Sequence, residues 1–286
     1  MKCIYIAIPA IGLIGNGLVI FVTGYKMKTT VNSIWFLNLA TADFIFSLTL
    51  IISTISYIGR KFWHFSDFKC TFLCFMIYLN SFASILLLTI ISLDRCLCTW
   101  MVVWSRNNRT IFKARIICMI VWVFSITCCI PAVISHSAAE SEKIYKTSIQ
   151  YKSIVTFRFI TGFVIPFLII ASSYIAIGVR VKRLKKENQL RSYRVIIAVV
   201  LAFFICWLPF HVYSFYNINA EENHWRKSVK EVLKTEAVIN CLALLNSCLN
   251  PILYVFMCEE FKKKLKQSFL LVLETAFAED HLDFRV

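Results

Sequence analysis

Acidic residues are scarce in this chain, 16 in 286 against 31 Lys and Arg. Charged residues make up 16% of it, where a soluble domain carries about 25%. No internal repeat, Gly/Ser linker or low-complexity tract interrupts the chain, which counts against a transporter built on duplicated halves. Catalytic patterns are missing as well. The sequence has no Ser/His/Asp grouping, no phosphate-binding loop and no cysteines spaced for zinc, and this argues against an enzyme. His64, His136, His211, His224 and His281 are scattered, and each is expected at a helix end or in a loop, exposed to water.

The chain is rich instead in apolar residues, 59% of the total with a mean hydropathy of +0.70. They gather in seven blocks at roughly 4–25, 33–57, 70–98, 115–135, 154–178, 194–216 and 237–257. Each is long enough to cross a bilayer, which takes about 20 residues of helix. The expected fold is therefore an all-α polytopic membrane protein, a seven-helix domain over 1–257. Most of the 12 cysteines lie inside these blocks, where Cys acts as a small hydrophobe. The first block is too long for a signal-peptide core and lacks a small-residue cleavage site.

A formal net charge of +15 suggests nucleic acid only in a soluble protein. Here 19 of the 31 basic residues fall in segments that are cytoplasmic if the N-terminus lies outside. The inner loop "RVKRLKKENQLRSYR" has seven Lys/Arg against one Glu. The positive-inside rule thus places the C-terminus in the cytoplasm. In "CEEFKKKLKQSFLLVLETAF", Phe261, Leu265, Phe269 and Val272 recur at helical spacing beside Lys262, Lys263, Lys264 and Lys266. That predicts an amphipathic helix over 258–272 lying on anionic membrane lipid, followed by a short cytoplasmic tail over 273–286.

Polar residues inside membrane spans are costly and mark functional candidates. Asp43 lies mid-way along the second block; Asn16, Asn80, Ser84, Asn246 and Asn250 bring amides and a hydroxyl from three others. Such a carboxylate can hold a small cation or be satisfied by interhelical hydrogen bonds. Pro166, Pro209 and Pro251 each remove a backbone hydrogen bond from a later block and can kink it. "IISLDRCLCTW" sets Asp94 beside Arg95 at the end of the third block. Snorkelling or the positive-inside bias accounts for an arginine there, but not for the adjacent acid.

"GNGLVI", "NLATADF", Cys70 placed 25 residues before Arg95, "DRC", Trp122, "CWLPF" and "NSCLNPILYVF" follow one another across the blocks. Together they resemble a rhodopsin-like G-protein-coupled receptor over nearly the whole chain. "SLDRCLC", "VWSRNNRT", "FFICWLPF" and "NSCLNPILYVF" with "EEFKKKL" resemble most closely the formyl peptide receptors of the chemoattractant and vomeronasal group. The resemblance implies a plasma-membrane receptor that takes a peptide or small ligand from outside and activates a heterotrimeric G protein of the inhibitory class. In such receptors the acid matching Asp94 restrains the arginine matching Arg95 by an ion pair, released when the sixth helix swings outward. Phe203, Trp207 and Pro209 match the hinge, and Tyr174 and Tyr254 match residues that stabilise the active state, with Asn250 and Pro251 in the same motif. Asp43, Asn80, Ser84, Asn246 and Asn250 match a sodium pocket. No other cofactor is implied.

The departures carry equal weight. The formyl-peptide pocket of the family uses one acid and two arginines, and Tyr78, Ile154 and Arg158 stand at the matching positions. Arg158 can pair with a ligand carboxylate or formyl oxygen, or snorkel to the outer interface; with Trp207, these three are the expected ligand contacts. Cys70 lacks its usual partner in the second outer loop, so no disulfide is expected, and such a bridge is ordinarily worth about 2–4 kcal/mol. The first block starts close to Met1, and the only glycosylation sequon, Asn108-Arg109-Thr110, is expected in the cytoplasm. Beyond the eighth helix the hydroxyls are mainly Ser268 and Thr275, a weak arm for arrestin. Val102 replaces a proline near the G-protein contact. The alternatives are a shortened, non-signalling or intracellularly retained receptor and, more remotely, an ion channel or transporter using Asp43.

Overall fold

The computed structural model describes residues 4–58, 66–142, 149–183, 187–222, 235, 238–239, 241–242, 245–251 and 261–267. All of its elements are helical. In lipid each backbone N–H and C=O must find a partner within the protein, and a helix supplies these bonds within one segment. The long helices are α1 (Ile4–Phe21, continued by a π-helical turn Val22–Lys26), α2 (Val31–Ile58), α3 (Ser66–Trp100), α5 (Ile111–Glu142) and α8 (Glu187–Glu222). A short α4 (Val102–Asn108) precedes α5. The fifth apolar block is α6 (Ile149–Phe159), a π-helical turn Ile160–Val164 and α7 (Ile165–Arg183).

Six helical stretches among the described residues are long and apolar enough to span a membrane, and they coincide with the first six blocks. The seventh block is described only in part, with a helical run over 245–251. Residues 261–267 are helical too; Phe261 is buried and Leu265 packs beside it, while Lys262, Lys263 and Lys266 stay exposed.

The π-helical turn has a physical cause. Pro166 has no N–H to offer the carbonyl four residues back, at Gly162. A wider turn ahead of the proline shifts the bonding register past that gap. Gly162 sits inside it, and a Cβ there would lie 3.2 Å from the Phe82 ring of α3. The sequence located this irregularity at the proline itself; the structure places it one turn earlier, over Ile160–Val164, with only Phe159 between it and Arg158.

Helix α3 lies at the centre, packed against α2, α5 and α7, while α1 packs on α2. Leu39, Ile85, Leu88, Ile91, Phe203 and Trp207 belong to one buried cluster. Ile14 on α1, Val123 on α5, Ile175 on α7 and Ile205 on α8 face outward, as lipid-facing side chains do. Trp122 Nε1 donates to Asn38 Oδ1 at 3.0 Å and ties α5 to α2.

Candidate functional site

Three groups of polar side chains stand along this scaffold. The first is a buried cluster around Asp43, which is 0% exposed. Asn250 Nδ2 donates to Asp43 Oδ2 at 2.6 Å. Ser84 Oγ lies 3.3 Å from Asp43 Oδ1 and 3.0 Å from Asn80 Oδ1, and its single proton serves one of these acceptors at a time. Asn80 Nδ2 donates to Ser247 Oγ at 3.0 Å, and Asn16 Nδ2 to the carbonyls of Gly12 and Ser247 at 2.9 and 3.0 Å. Helices α1, α2, α3 and the 245–251 run are thereby joined. Oδ1 of Asn16 and of Asn250 remains buried with no partner among the described residues, as does Nδ2 of Asn246. A carboxylate, a hydroxyl and spare amide oxygens form a hard donor set that fits a small cation such as Na+.

The second group surrounds Arg158, the penultimate residue of α6 before the π turn. Its guanidinium carbon lies 4.1 Å from the ring centroids of Tyr78 on α3 and Phe210 on α8, and 5.8 Å from that of Trp207. The side chain is only 5% exposed, so it does not snorkel to a helix end. Nε and Nη2 of Arg158 and Nε1 of Trp207 are buried donors with no acceptor among the described residues. Ring faces attract a guanidinium, yet they accept none of its hydrogen bonds in the plane of the fork. Ile154 is half-buried one turn earlier on α6. His211 is buried against Phe159, Phe163 and Phe210, with ring centroids 5.4, 5.1 and 5.8 Å away. This corrects the expectation of a solvated histidine: α8 carries through Pro209 and turns His211 into the bundle.

The third group is at the far end of α3. The expected ion pair between Asp94 and Arg95 is not the one formed. Arg109 Nε and Nη2 each donate to the Asp94 carboxylate at 2.7 Å, and Nη2 also donates to Asn32 Oδ1. Successive residues on a helix point in different directions and make at best a strained pair, whereas Arg109 presents the Nε and Nη2 side of its planar fork to both Asp94 oxygens and outcompetes Arg95 for them. Local caps put it there. Its own N–H bonds Ser105 O to close α4, and Thr110 Oγ1 accepts from Lys113 N at 3.3 Å to open α5. Asn32 is fixed by the reciprocal Thr30–Ser33 cap at the start of α2. Burial disfavours the Arg109 charge, but hydrogen bonding to Asp94 and its negative charge outweigh this and raise its pKa. Arg95 is half-buried, and its Nε has no partner among the described residues.

The remaining expected switch residues lie between these groups. Phe203 and Trp207 stack one turn apart on α8, centroids 6.0 Å apart. Tyr174 on α7 accepts a 3.3 Å hydrogen bond from Ser92 of α3. Pro251 touches α1, where a Cβ on Gly15 would lie 3.1 Å from its Cγ. Cys3, the side chain of Cys70, and Tyr254 lie outside the described residues.

Residues 15–254 match the family described as 7 transmembrane receptor (rhodopsin family). The chain belongs to the rhodopsin-family receptors. Such a receptor is not an enzyme. Similar proteins include the C3a anaphylatoxin chemotactic receptor of Oncorhynchus mykiss, 36% identical over 94% of this chain and 77% of the relative. The Homo sapiens chemerin-like receptor 1 is 33% identical over 97% and 79% of the two chains, and the Mus musculus formyl peptide receptor 2 is 35% identical over 94% and 83%. These identities are nearly equal, so the narrower likeness to formyl peptide receptors does not stand out. The relatives are chemoattractant-type receptors, and this rhodopsin-family chain is related to them as a group. Its sequence motifs pointed to Asp43, Arg158 and Asp94, but not to Arg109, Phe210, His211 or Ser247. Ser247 was legible as the neighbour of Asn246; Arg109 stood inside "VWSRNNRT", but nothing local gave its pairing with an acid fifteen residues back.

Proposed function

We propose that this chain is a chemoattractant-type receptor that binds an anionic peptide or small ligand from outside and activates a heterotrimeric G protein of the inhibitory class. The N-terminus is extracellular and the C-terminus cytoplasmic, with the seventh block completing the bundle and the helix around 261–267 resting on the inner leaflet. One observation carries the reading: three buried donors, two on Arg158 and one on the neighbouring Trp207, have no acceptor among the described residues. A buried charge without partners costs several kcal/mol; a ligand carboxylate would supply the missing acceptor. A formyl oxygen is a weaker candidate, because it leaves the charge unbalanced. C3a, chemerin-like and formyl-peptide receptors are the similar proteins, and peptides with a free C-terminus are the first class to try.

Tyr78 and Arg95 are 17 residues apart on α3, about 25 Å at 1.5 Å per residue. The proposed pocket and the proposed G-protein end are therefore joined by one rigid helix. Ligand held against Trp207 biases α8, and the favoured state exposes Arg95. When bound, a sodium ion would supply positive charge at Asp43; Ser84, Asn80 and Asn250 would hold it.

The test is G-protein activation in cells carrying an N-terminally tagged copy, challenged with matched peptides bearing a free or an amidated C-terminus. Responses are normalised to surface staining. The expected result is a response to free-acid peptides that is lost in Arg158→Gln and Arg95→Ala at equal surface level. Good staining with a response untouched by either substitution would overturn the reading.

A further inference from the structure

Between α7 and α8 lies a cavity of 330 Å³ lined by Phe167, Ala171, Tyr174, Ile175, Val200 and Leu201 among others. Phe167, Ile175 and Leu201 are exposed and lie within candidate membrane spans, so the cavity opens to the bilayer. Its size is at the lower end of those that hold small molecules. Nothing in the proposed ligand site or switch fills it. The walls are apolar apart from one group, the hydroxyl of Tyr174, which already accepts from Ser92.

The groove continues along α7. Residues 167, 171, 174, 178 and 182 recur at three- and four-residue steps and share one face of that helix. Gly178 has open space around its missing Cβ among the described residues, so none of their side chains closes the channel there. Lys182 follows on the same face, exposed, with Arg183 beside it in the last turn. Tyr174 to Lys182 spans about 12 Å of helix. An apolar trough thus runs into a cationic end at the edge of the membrane span Lys152–Arg183.

We propose that this groove is a binding site for an anionic phospholipid, with one acyl chain between α7 and α8 and the phosphate on Lys182. The charge complementarity decides the occupant: a neutral lipid uses the trough but leaves Lys182 without a counter-charge. Each basic residue near an anionic lipid surface adds about fivefold in affinity. The seated chain lies against Tyr174 and separates the helix that carries Trp207 from the one that bonds α3. The proposal rests on the membrane-spanning reading of α7 and α8 but not on any ligand or G protein.

The experiment places the full chain in nanodiscs of phosphatidylcholine doped with a trace of photoreactive lipid carrying a mid-chain diazirine. The headgroup is either phosphatidylglycerol or phosphatidylcholine, on identical chains, and labelled peptides are mapped by mass spectrometry. Both leaflets have one composition, so orientation does not enter. Labelling of 165–183 and 197–201 should be about fivefold higher with phosphatidylglycerol. Lys182→Gln should bring it down to the phosphatidylcholine level, and Ala171→Trp should remove both. A Lys262→Gln/Lys263→Gln/Lys266→Gln variant should keep the preference, which separates this site from the basic 261–267 helix. Equal labelling by the two lipids, or a preference unchanged by Lys182→Gln in protein of normal thermal stability, would overturn the proposal. So would labelling confined to 261–267.

Discussion

At the scale of single residues, two arginines carry opposite costs. Arg158 is a charge held in a ring box where its Nε and Nη2 find no acceptor among the described residues, so it weakens the empty receptor while preparing it for an anion. Arg158→Met should therefore stabilise the empty protein by about 1–4 kcal/mol, the amount that apolar replacement of buried charge can return, and so raise its melting temperature. The same change should abolish binding of any carboxylate ligand, at least about 30-fold for a loss of 2 kcal/mol. Paired thermal-shift and binding measurements check both signs, and a fall in both would place Arg158 among structural residues. Arg109 is the reverse case. It satisfies Asp94 with two 2.7 Å bonds and leaves Arg95 without that restraint. Arg109→Ala frees Asp94 for Arg95, and ligand-independent G-protein activation is expected to drop about threefold to tenfold, the effect of 0.7–1.4 kcal/mol on a two-state balance. A rise in basal activity would mean that Arg109, rather than Arg95, is what holds the resting state.

At the scale of helices, the sequence was most legible where hydropathy alone decides the structure. The first six apolar blocks became spanning helices because an apolar run of that length has no other way to satisfy its backbone in lipid. What escaped was everything set by contacts between helices. The π turn at Ile160–Val164 depends on Pro166 together with the approach of Phe82, and α4 is a short helix of seven residues closed by Arg109 itself. Gly15 and Gly17 stand out in the sequence only as part of the "GNGLVI" motif, and Gly12, one turn earlier on α1, does not stand out at all; its role is steric. A Cβ on Gly12 would meet Ser47 Oγ at 2.7 Å, closer than real contacts allow. Gly12 also offers the carbonyl that Asn16 bonds. Gly12→Val is expected to push α1 from α2 and cost about 1–3 kcal/mol, the usual range for overpacking. Thermal unfolding in detergent measures it; an unchanged midpoint would mean that α1 can shift without disturbing Asn16 and Ser247.

For the molecule as a whole, the Asp43 cluster occupies the middle of the path between the two ends. Asn80 and Ser84 follow Tyr78 by two and six residues on α3, and Asp94 lies ten residues beyond Ser84. The polar residues of this cluster were legible because each breaks an apolar run, and their gathering around one carboxylate was expected from four blocks bringing polar groups to similar depth; the pairing within it, above all Ser247 as the partner of Asn80 and Asn16, was not, since no spacing within one helix encodes it. The cluster as drawn by hydrogen bonds is incomplete. Ser84 has one proton for two acceptors, and the Oδ1 atoms of Asn16 and Asn250 have no donor among the described residues. A cation bound only in this arrangement stabilises it by RT ln(1 + [ion]/Kd), about 1.4 kcal/mol when the ion is at ten times Kd. For a domain of this size that corresponds to roughly 3–6 °C. The melting temperature should therefore be higher in sodium chloride than in choline chloride at equal ionic strength. Asp43→Asn removes the charge but keeps the shape, and it should erase the difference between the two salts while leaving the choline value near that of the parent. Because Asp43, Ser84 and Asn250 join three separate segments, loosening them also lets α3 and the 245–251 run move apart. The variant's ligand affinity should then no longer fall as sodium rises. A salt difference that persists in Asp43→Asn would place the cation elsewhere and leave Asp43 as a hydrogen-bonding anchor between helices.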